Sequence, residues 1–271
     1  MPTSFTPTVL TIAGSDPYGG AGMQVDSKVI QKLGGYAFTV ITALTAQNST
    51  GVKDVLPTPS KHFKTQLHSI LDDIEVDAVK IGMLANADII SIVAQAIEKY
   101  QLKNIVLDTV LVSSSGKALL EPSAVETMVK ELFPRVDLIT PNIPEVNSLL
   151  GTDFTGKSDE IAVMAKGLFE LGANSVLIKG GHSHDKKSAT DYFVEQNSTI
   201  VSFETARLQT CHTHGTGCVL SSAIATNLAL NENLKQSIGH AKDFLYQHLQ
   251  TSSDIKFNYH TQNETRKEPL V

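Results

Sequence analysis

Val9-Leu10-Thr11-Ile12-Ala13 runs directly into Gly14-Ser15-Asp16-Pro17 and Gly19-Gly20-Ala21-Gly22, and the helical stretch that follows stops at Gly34-Gly35. A β-prone run, a glycine-rich turn and a helix make one βα unit. Tyr36 to Leu44, rich in Val, Ile, Thr and aromatics, reads as the next strand, and Phe63, Leu67, Ile70, Leu71 and Ile74 recur at helical spacing. The alternation continues with a strand at Ala78–Ile81, a helix at Ala87–Tyr100, a strand at Ile105–Asp108, a helix at Pro122–Phe133 and a strand at Leu138–Thr140. Helices at Glu145–Leu150 and Glu160–Leu171, a strand at Ser175–Lys179 and a two-strand excursion at Tyr192–Glu195 and Thr199–Phe203 follow. Helices at Gly217–Leu230 and Leu234–Leu249 end the pattern. Strands and helices in alternation predict an α/β fold with a mostly parallel sheet.

The 271 residues carry no Pro/Ser/Gly linker or charge run that would divide them, so residues 1–250 read as a single domain and 251–271 as a polar, aperiodic tail. Hydrophobic residues make up 41% and charged residues 18%, enough for a core and unlike a disordered chain. A net charge of −6 without a Lys/Arg cluster argues against nucleic acid as a partner. No apolar run is long enough to span a bilayer and no basic stretch precedes an apolar segment, so a cytoplasmic location is expected. The two cysteines, Cys211 and Cys218, have neither metal-ligand spacing nor a disulfide framework, and both are expected reduced.

Ligands of open α/β sheets gather beyond the carboxyl ends of the strands. Those ends supply Gly14-Ser15-Asp16, Gln47, Gly82-Met83, Asp108, Asn142 with Glu145, and Lys179-Gly180-Gly181. A further glycine loop, His214-Gly215-Thr216-Gly217-Cys218, opens an apolar helix, where free N–H groups and the positive dipole end suit a phosphate. Cys218 falls in the first turn, and the dipole there is expected to lower its pKa and make the thiol a proton acceptor.

Together these segments resemble the ribokinase-like superfamily, and within it the hydroxymethylpyrimidine and phosphomethylpyrimidine kinases. The strings that carry the resemblance are Thr11 to Asp16, Gly19 to Gly22, Thr42-Ala43-Leu44 with Gln47-Asn48, Lys80 to Leu84, Leu107 to Val110, Thr140-Pro141-Asn142 with Pro144-Glu145, Lys179 to His182, and His214 to Cys218, in family order.

The resemblance implies a mostly parallel central sheet flanked by helices on both faces, with ATP along its C-terminal edge. The backbone N–H groups of Gly215, Thr216 and Gly217 would form an anion hole for the transferring phosphoryl group. Cys218, where most of the superfamily has Asp, would be the catalytic base. Asp108 and Glu145 resemble the acidic pair that serves Mg²⁺, while Asn142 and Lys179 would serve the nucleotide phosphates.

Gln47 would match the amine and ring nitrogen of a 4-amino-5-hydroxymethylpyrimidine, with Gly14 and Met83 as walls. Leu111 to Lys117 would occupy the flap, where Ser114 stands in place of a frequent lysine and Lys117 is a candidate substitute. His182 and His214 receive no catalytic role. The resulting expectation is an ATP- and Mg²⁺-dependent kinase of hydroxymethylpyrimidine and its monophosphate in thiamine biosynthesis, acting as a homodimer on small molecules. A pyridoxine or pyridoxal kinase of the same fold fits the same residues, and a nucleotide sensor without turnover is a further alternative. A Rossmann dinucleotide site fits poorly, because Gly14 to Gly22 lacks the fingerprint spacing.

Overall fold

The computed structural model describes residues 6–48, 51–112, 119–182, 187–196, 198–208 and 213–251. The expected polar tail, Cys211, and flap residues 113–117 lie outside them. Nine strands among the described residues form one sheet. β1 (Thr8–Ser15) leads through α1 (Gly22–Lys32) to β2 (Tyr36–Asn48), which folds back as β3 (Gly51–Pro57). α2 (Ser60–Leu71) then returns the chain to β4 (Ala78–Ile81), on the far side of β1 from β2. From there α3 (Ala87–Tyr100), β5 (Ile105–Leu107), α4 (Pro122–Glu131), β6 (Leu138–Ile139), α5 (Ile143–Leu150), α6 (Ile161–Glu170) and β7 (Ser175–Ile178) extend the sheet in one direction. β8 (Ser188–Glu195) and β9 (Val201–Ala206) close that edge antiparallel, and α7 (Thr216–Ala229) and α8 (Leu234–Thr251) follow.

Strand side chains alternate between two cores, as the period of two demands. Leu10, Ile12, Val79, Ile81, Ile105, Leu107, Val176 and Ile178 face the core shared with α2, α3, α4 and α6. Val9, Ala78, Val106 and Leu177 face the core shared with α1, α7 and α8. α7 is buried from Val219 through Ala229, and its small residues Ser221, Ser222, Ala223, Ala225 and Thr226 let it lie close on the sheet between α1 and α8.

The expected parallel sheet with helices on both faces is present, with two differences. β2 runs four residues beyond Leu44, to Asn48, and β3 was not expected as a strand at all. Gly51-Val52-Lys53-Asp54-Val55-Leu56-Pro57 carries charge and ends in proline, a composition tolerated because β3 is an edge strand.

The strand order reverses between β1 and β4, whose last register pair is Ile12 with Ile81. Such a switch point leaves a crevice beyond the strand ends.

Phe63 is fully buried between α2 and the sheet. Phe63→Ala is expected to lower stability by about 3–5 kcal/mol, read as a shift of the urea midpoint with unchanged slope.

Candidate active site

At the crevice lies a cavity of about 710 Å³, and Gly14, Gln47, Met83, Asp108, Asn142, Glu145, Lys179, Gly215, Thr216, Gly217 and Cys218 all line it. Residues expected separately at strand ends are thus brought together. The wall nearest β1 is set by backbone contacts. A Cβ on Gly14 would sit 3.1 Å from Met83 Sδ, while Thr42 Oγ1 donates to the Met83 carbonyl at 2.6 Å and fixes that segment.

Asp16 joins the first glycine turn to the last. Its carboxylate accepts from the backbone N–H groups of Tyr18, Gly20 and Ala21, and pairs with His214 Nε2 at 3.2 Å across 198 residues of chain. Burial alone would raise the Asp16 pKa, but its bonds with His214, the Tyr18 N–H and Gln47 outweigh it and hold the carboxyl below its ordinary range. Gly215, at φ 77°, adopts the left-handed conformation, and a Cβ there would fall 1.8 Å from the Gly20 carbonyl oxygen. Only glycine fits where the two turns touch. Above this contact α7 begins with no side-chain cap and no acid in its first turn. The N–H groups of Gly217 and Cys218 have no protein acceptor among the described residues, so they face the cavity as an anion cradle.

Opposite stand the charged groups. Lys179 Nζ donates to Asp108 Oδ1 at 2.7 Å, and Thr140 Oγ1 donates to the same oxygen at 3.1 Å. A Cβ on Gly217 would lie 3.2 Å from Asp108 Oδ2 and 3.4 Å from Lys179 Nζ, which places the cradle directly against this pair. Asn142 and Glu145 form a capping box at the start of α5: Asn142 Oδ1 accepts from the Glu145 N–H at 2.9 Å, and Glu145 Oε2 accepts from the Asn142 N–H at 2.8 Å. Thr109 Oγ1 also donates to Glu145 Oε2. The cap engages Asn142 Oδ1 and leaves its Nδ2 for a ligand.

Burial would raise the Asp108 pKa, yet Lys179 and Lys80 hold it below the ordinary value. Glu145 is raised, by burial first and also by the Asp108 charge, against the pull of Lys179. Two buried carboxylates that repel each other beside a phosphate cradle fit a hard divalent cation, which commonly takes one or two carboxylates and completes its shell with water and phosphate. Among the described residues no cluster offers three or more protein ligands.

The lowered thiol expected at Cys218 is overturned. Burial pushes its pKa up to about 11; the Lys80 charge and the Gly22 N–H oppose this, and Asp26 and Asp108 add to it. The dipole of α7 is outweighed because Cys218 packs against the core shared by α1, α7 and α8.

Three further buried pairs were not singled out from the sequence: Asp16 with His214, Lys80 with Asp26, and Lys242 with Asp191 at 2.7 Å. Asp191 also accepts from the Gly180 N–H, and Arg207 donates to the Gly180 and Gly181 carbonyls, fixing the turn after β7 at the cavity rim. Asp16 and His214, inside glycine turns, and Lys80, at the head of the Lys80–Leu84 string, carried a sequence signal as single residues, whereas Asp26, Asp191 and Lys242 carried none.

Comparison with known proteins shows what this chain is similar to. The model of the phosphomethylpyrimidine kinase family matches residues 16–263. The hydroxymethylpyrimidine/phosphomethylpyrimidine kinase of Escherichia coli is 41% identical over 250 residues, spanning 92% of this chain and 93% of its own. A phosphomethylpyrimidine kinase crystal structure from Clostridium difficile superposes with a TM-score of 0.79 at 36% identity, covering 90% of this chain and 100% of that one. The pyridoxal kinase of Staphylococcus aureus, in complex with AMP-PCP and pyridoxal, gives a TM-score of 0.84 at 31% identity over 94% of this chain and 92% of its own.

The opposite shifts of the two carboxyls give opposite expectations. Asp108, lowered in the fold, stabilises at neutral pH, and that contribution is lost as the pH falls through its folded value. Glu145, raised, costs stability at neutral pH and the cost is relieved on acidification. Thermal unfolding at neutral pH should show Asp108→Asn destabilised toward the lower end of ~3–5 kcal/mol, because it strips Lys179 of its partner. Glu145→Gln should match or exceed the wild type, and that difference should shrink in acid.

Proposed function

The chain belongs to the phosphomethylpyrimidine kinase family, and from that membership we propose that it transfers the γ-phosphoryl group of ATP to 4-amino-5-hydroxymethyl-2-methylpyrimidine and then to the resulting monophosphate. The product is the pyrophosphate used in thiamine biosynthesis. The observation that carries this reading is the contact of the Gly215–Cys218 cradle with the Asp108–Lys179 pair inside one cavity.

In this reading Gly215, Thr216 and Gly217 hold the transferring group by backbone N–H, where charge is spread over its oxygens; the Thr216 N–H, which donates to the Thr213 carbonyl at 3.4 Å, exchanges that long bond for the phosphoryl group. Lys179 and Asn142 bind nucleotide phosphates. Asp108 and Glu145 hold Mg²⁺, which when bound neutralises phosphate charge. Gln47, whose amide bonds Asp16 and lines the cavity, meets the pyrimidine amine and ring nitrogen with an amide that offers both a carbonyl acceptor and N–H donors. Gly14 and Met83 bound the ring. Cys218 takes the proton of the primary hydroxyl.

The acceptors of the two steps differ in their demand for a base. The alcohol must lose a proton, whereas a phosphate monoester with a second pKa of about 6 is already mostly ionised at neutral pH. Cys218→Ala should therefore slow the alcohol step about 10²-fold or more and the monophosphate step far less. In the wild type the alcohol step should accelerate with pH, since the base is the thiolate of a group raised to about 11, while the monophosphate step stays flat. Steady-state rates on both acceptors check this, and equal losses would remove Cys218 from the proton transfer. Pyridoxal assayed in parallel tests the competing substrate, and faster turnover of it would displace the pyrimidine.

We also propose that one kinase domain acts as a cytoplasmic homodimer. Leu44 on β2 and Leu56 on β3 are register partners, exposed by 51% and 63%, and form an apolar pair on the hairpin edge that a second copy of the chain would cover. Light scattering should give the mass of two chains for the wild type and of one for Leu44→Asp/Leu56→Asp.

A further inference from the structure

The reaction proposed above leaves a fully buried charge pair, Lys80 with Asp26, without a role. Lys80 on β4 has no exposure, and it stands opposite Thr11 in the β1–β4 register, on the face covered by α1 and α7. Its Nζ donates to both oxygens of Asp26, at 2.9 and 2.8 Å. Thr11 Oγ1 and Ser222 Oγ donate to the same carboxylate at 2.6 and 2.7 Å. Four hydrogen bonds fill the acceptor positions of Asp26 and tie β1, β4, α1 and α7 together at one point.

Lys80 is left with a third N–H that has no acceptor among the described residues, and it lines the same cavity as Cys218. A Cβ on Gly82 would lie 2.8 Å from Nζ, so the ammonium reaches the end of β4 where the cavity wall begins. Ser222 lies one helical turn after Cys218 on α7. Asp26 lies one turn after Gly22 on α1, and the Gly22 N–H bonds the Cys218 sulfur. On both helices the clamp sits one turn below that sulfur.

We propose that Lys80 is a positioning residue: gripped by Asp26, it keeps a fixed positive charge beneath Cys218 and stabilises the thiolate, which then accepts the proton of the acceptor hydroxyl and becomes the neutral thiol. This rests on the reading of Cys218 as the base. An ammonium in a low-dielectric interior acts strongly on a neighbouring anion, and one whose position is fixed needs no reorganisation when charge develops. The charged groups acting on the thiol are Lys80 from β4, Asp26 from α1, Asp108 beyond β5 and Lys179 beyond β7. Of these, Lys80 is the strongest influence favouring the thiolate.

The test is the rate at which iodoacetamide alkylates Cys218 at mildly alkaline pH, followed by mass spectrometry on the Cys218 peptide with neither nucleotide nor pyrimidine present. Lys80→Met should slow alkylation by about tenfold, the effect of one pH unit of thiolate population. Lys80→Arg should restore it. Ser222→Ala, which cuts the tie to α7 but keeps the charge, should change it little. A purely structural role predicts the reverse sign, because a loosened site exposes sulfur and speeds the reaction. An unchanged or faster rate in folded Lys80→Met overturns the proposal. Should that variant fail to fold, Lys80→Met/Asp26→Asn removes both charges and leaves an amide to bond Thr11 and Ser222, one hydroxyl donating and the other accepting; because the Asp26 charge opposes the thiolate and the Lys80 charge outweighs it, the rate must still fall below wild type, by less than about tenfold. The readout needs no turnover, so a kinase reading that failed in the substrate assays would leave this result standing, and the converse holds.

Discussion

The contact between the first and last glycine turns, held by Asp16, is the constraint on which the site depends. α7 must begin at the mouth of the crevice with bare N–H groups, and no side chain of its own caps it there. Its position is instead imposed by the Gly215–Gly20 approach and by the buried His214–Asp16 bond, while Asp16 also closes the turn before α1. One carboxylate thereby locks two loops from opposite ends of the chain. A looser joint would move the cradle relative to Asp108 and Lys179, and positioning is most of what phosphoryl transfer asks of a protein.

Three lysines lie at or beneath this cavity, Lys80 and Lys242 buried and Lys179 partly so, each bonded to an aspartate. Buried pairs of this kind contribute little net stability, since desolvation offsets the attraction. Their concentration on one side of the sheet is better understood through charge at the site. A cavity meant for a nucleotide must attract phosphate without collapsing around unpaired cations when empty, and lysines held by aspartates meet both conditions.

Most of the architecture was legible in the sequence because long βα units have unambiguous periods and glycine punctuation. Elements set by pairing alone were harder to read. The last four residues of β2 and all of β3 exist because each supplies the other's hydrogen bonds, and Lys53, Asp54 and Pro57 hide the pattern. At the site, the strand-end rule and the glycine loop brought most of the residues they named to the cavity, though not Gly82 or Gly180. What they could not supply was depth. Asp26 and Lys80 sit in stretches that read as ordinary helix and strand, and only the fold reveals that Thr11, Lys80, Asp26 and Ser222 converge. The thiol was misjudged for the same reason: the helix dipole is local and readable, whereas burial against the α7 core is not.

The same burial bears on why a thiol is suitable here. The position of Cys218 faces apolar side chains on one side and the charges of Asp26 and Asp108 on another. A carboxylate at this point, as the resemblance implies for most of the wider superfamily, would be a third anion in a poorly solvated space and would have to be kept charged at rest. A thiol is neutral at rest and tolerates the apolar wall; it carries charge only as the thiolate that precedes the proposed transfer, and taking the hydroxyl proton makes it neutral again. Its raised pKa makes the thiolate scarce but strongly basic, so the burden of catalysis shifts to whatever favours that form. A fixed cation below and unpaired backbone N–H groups beside it are the means the fold provides, and both are set by helices that the Asp16 and Asp26 clamps hold in register.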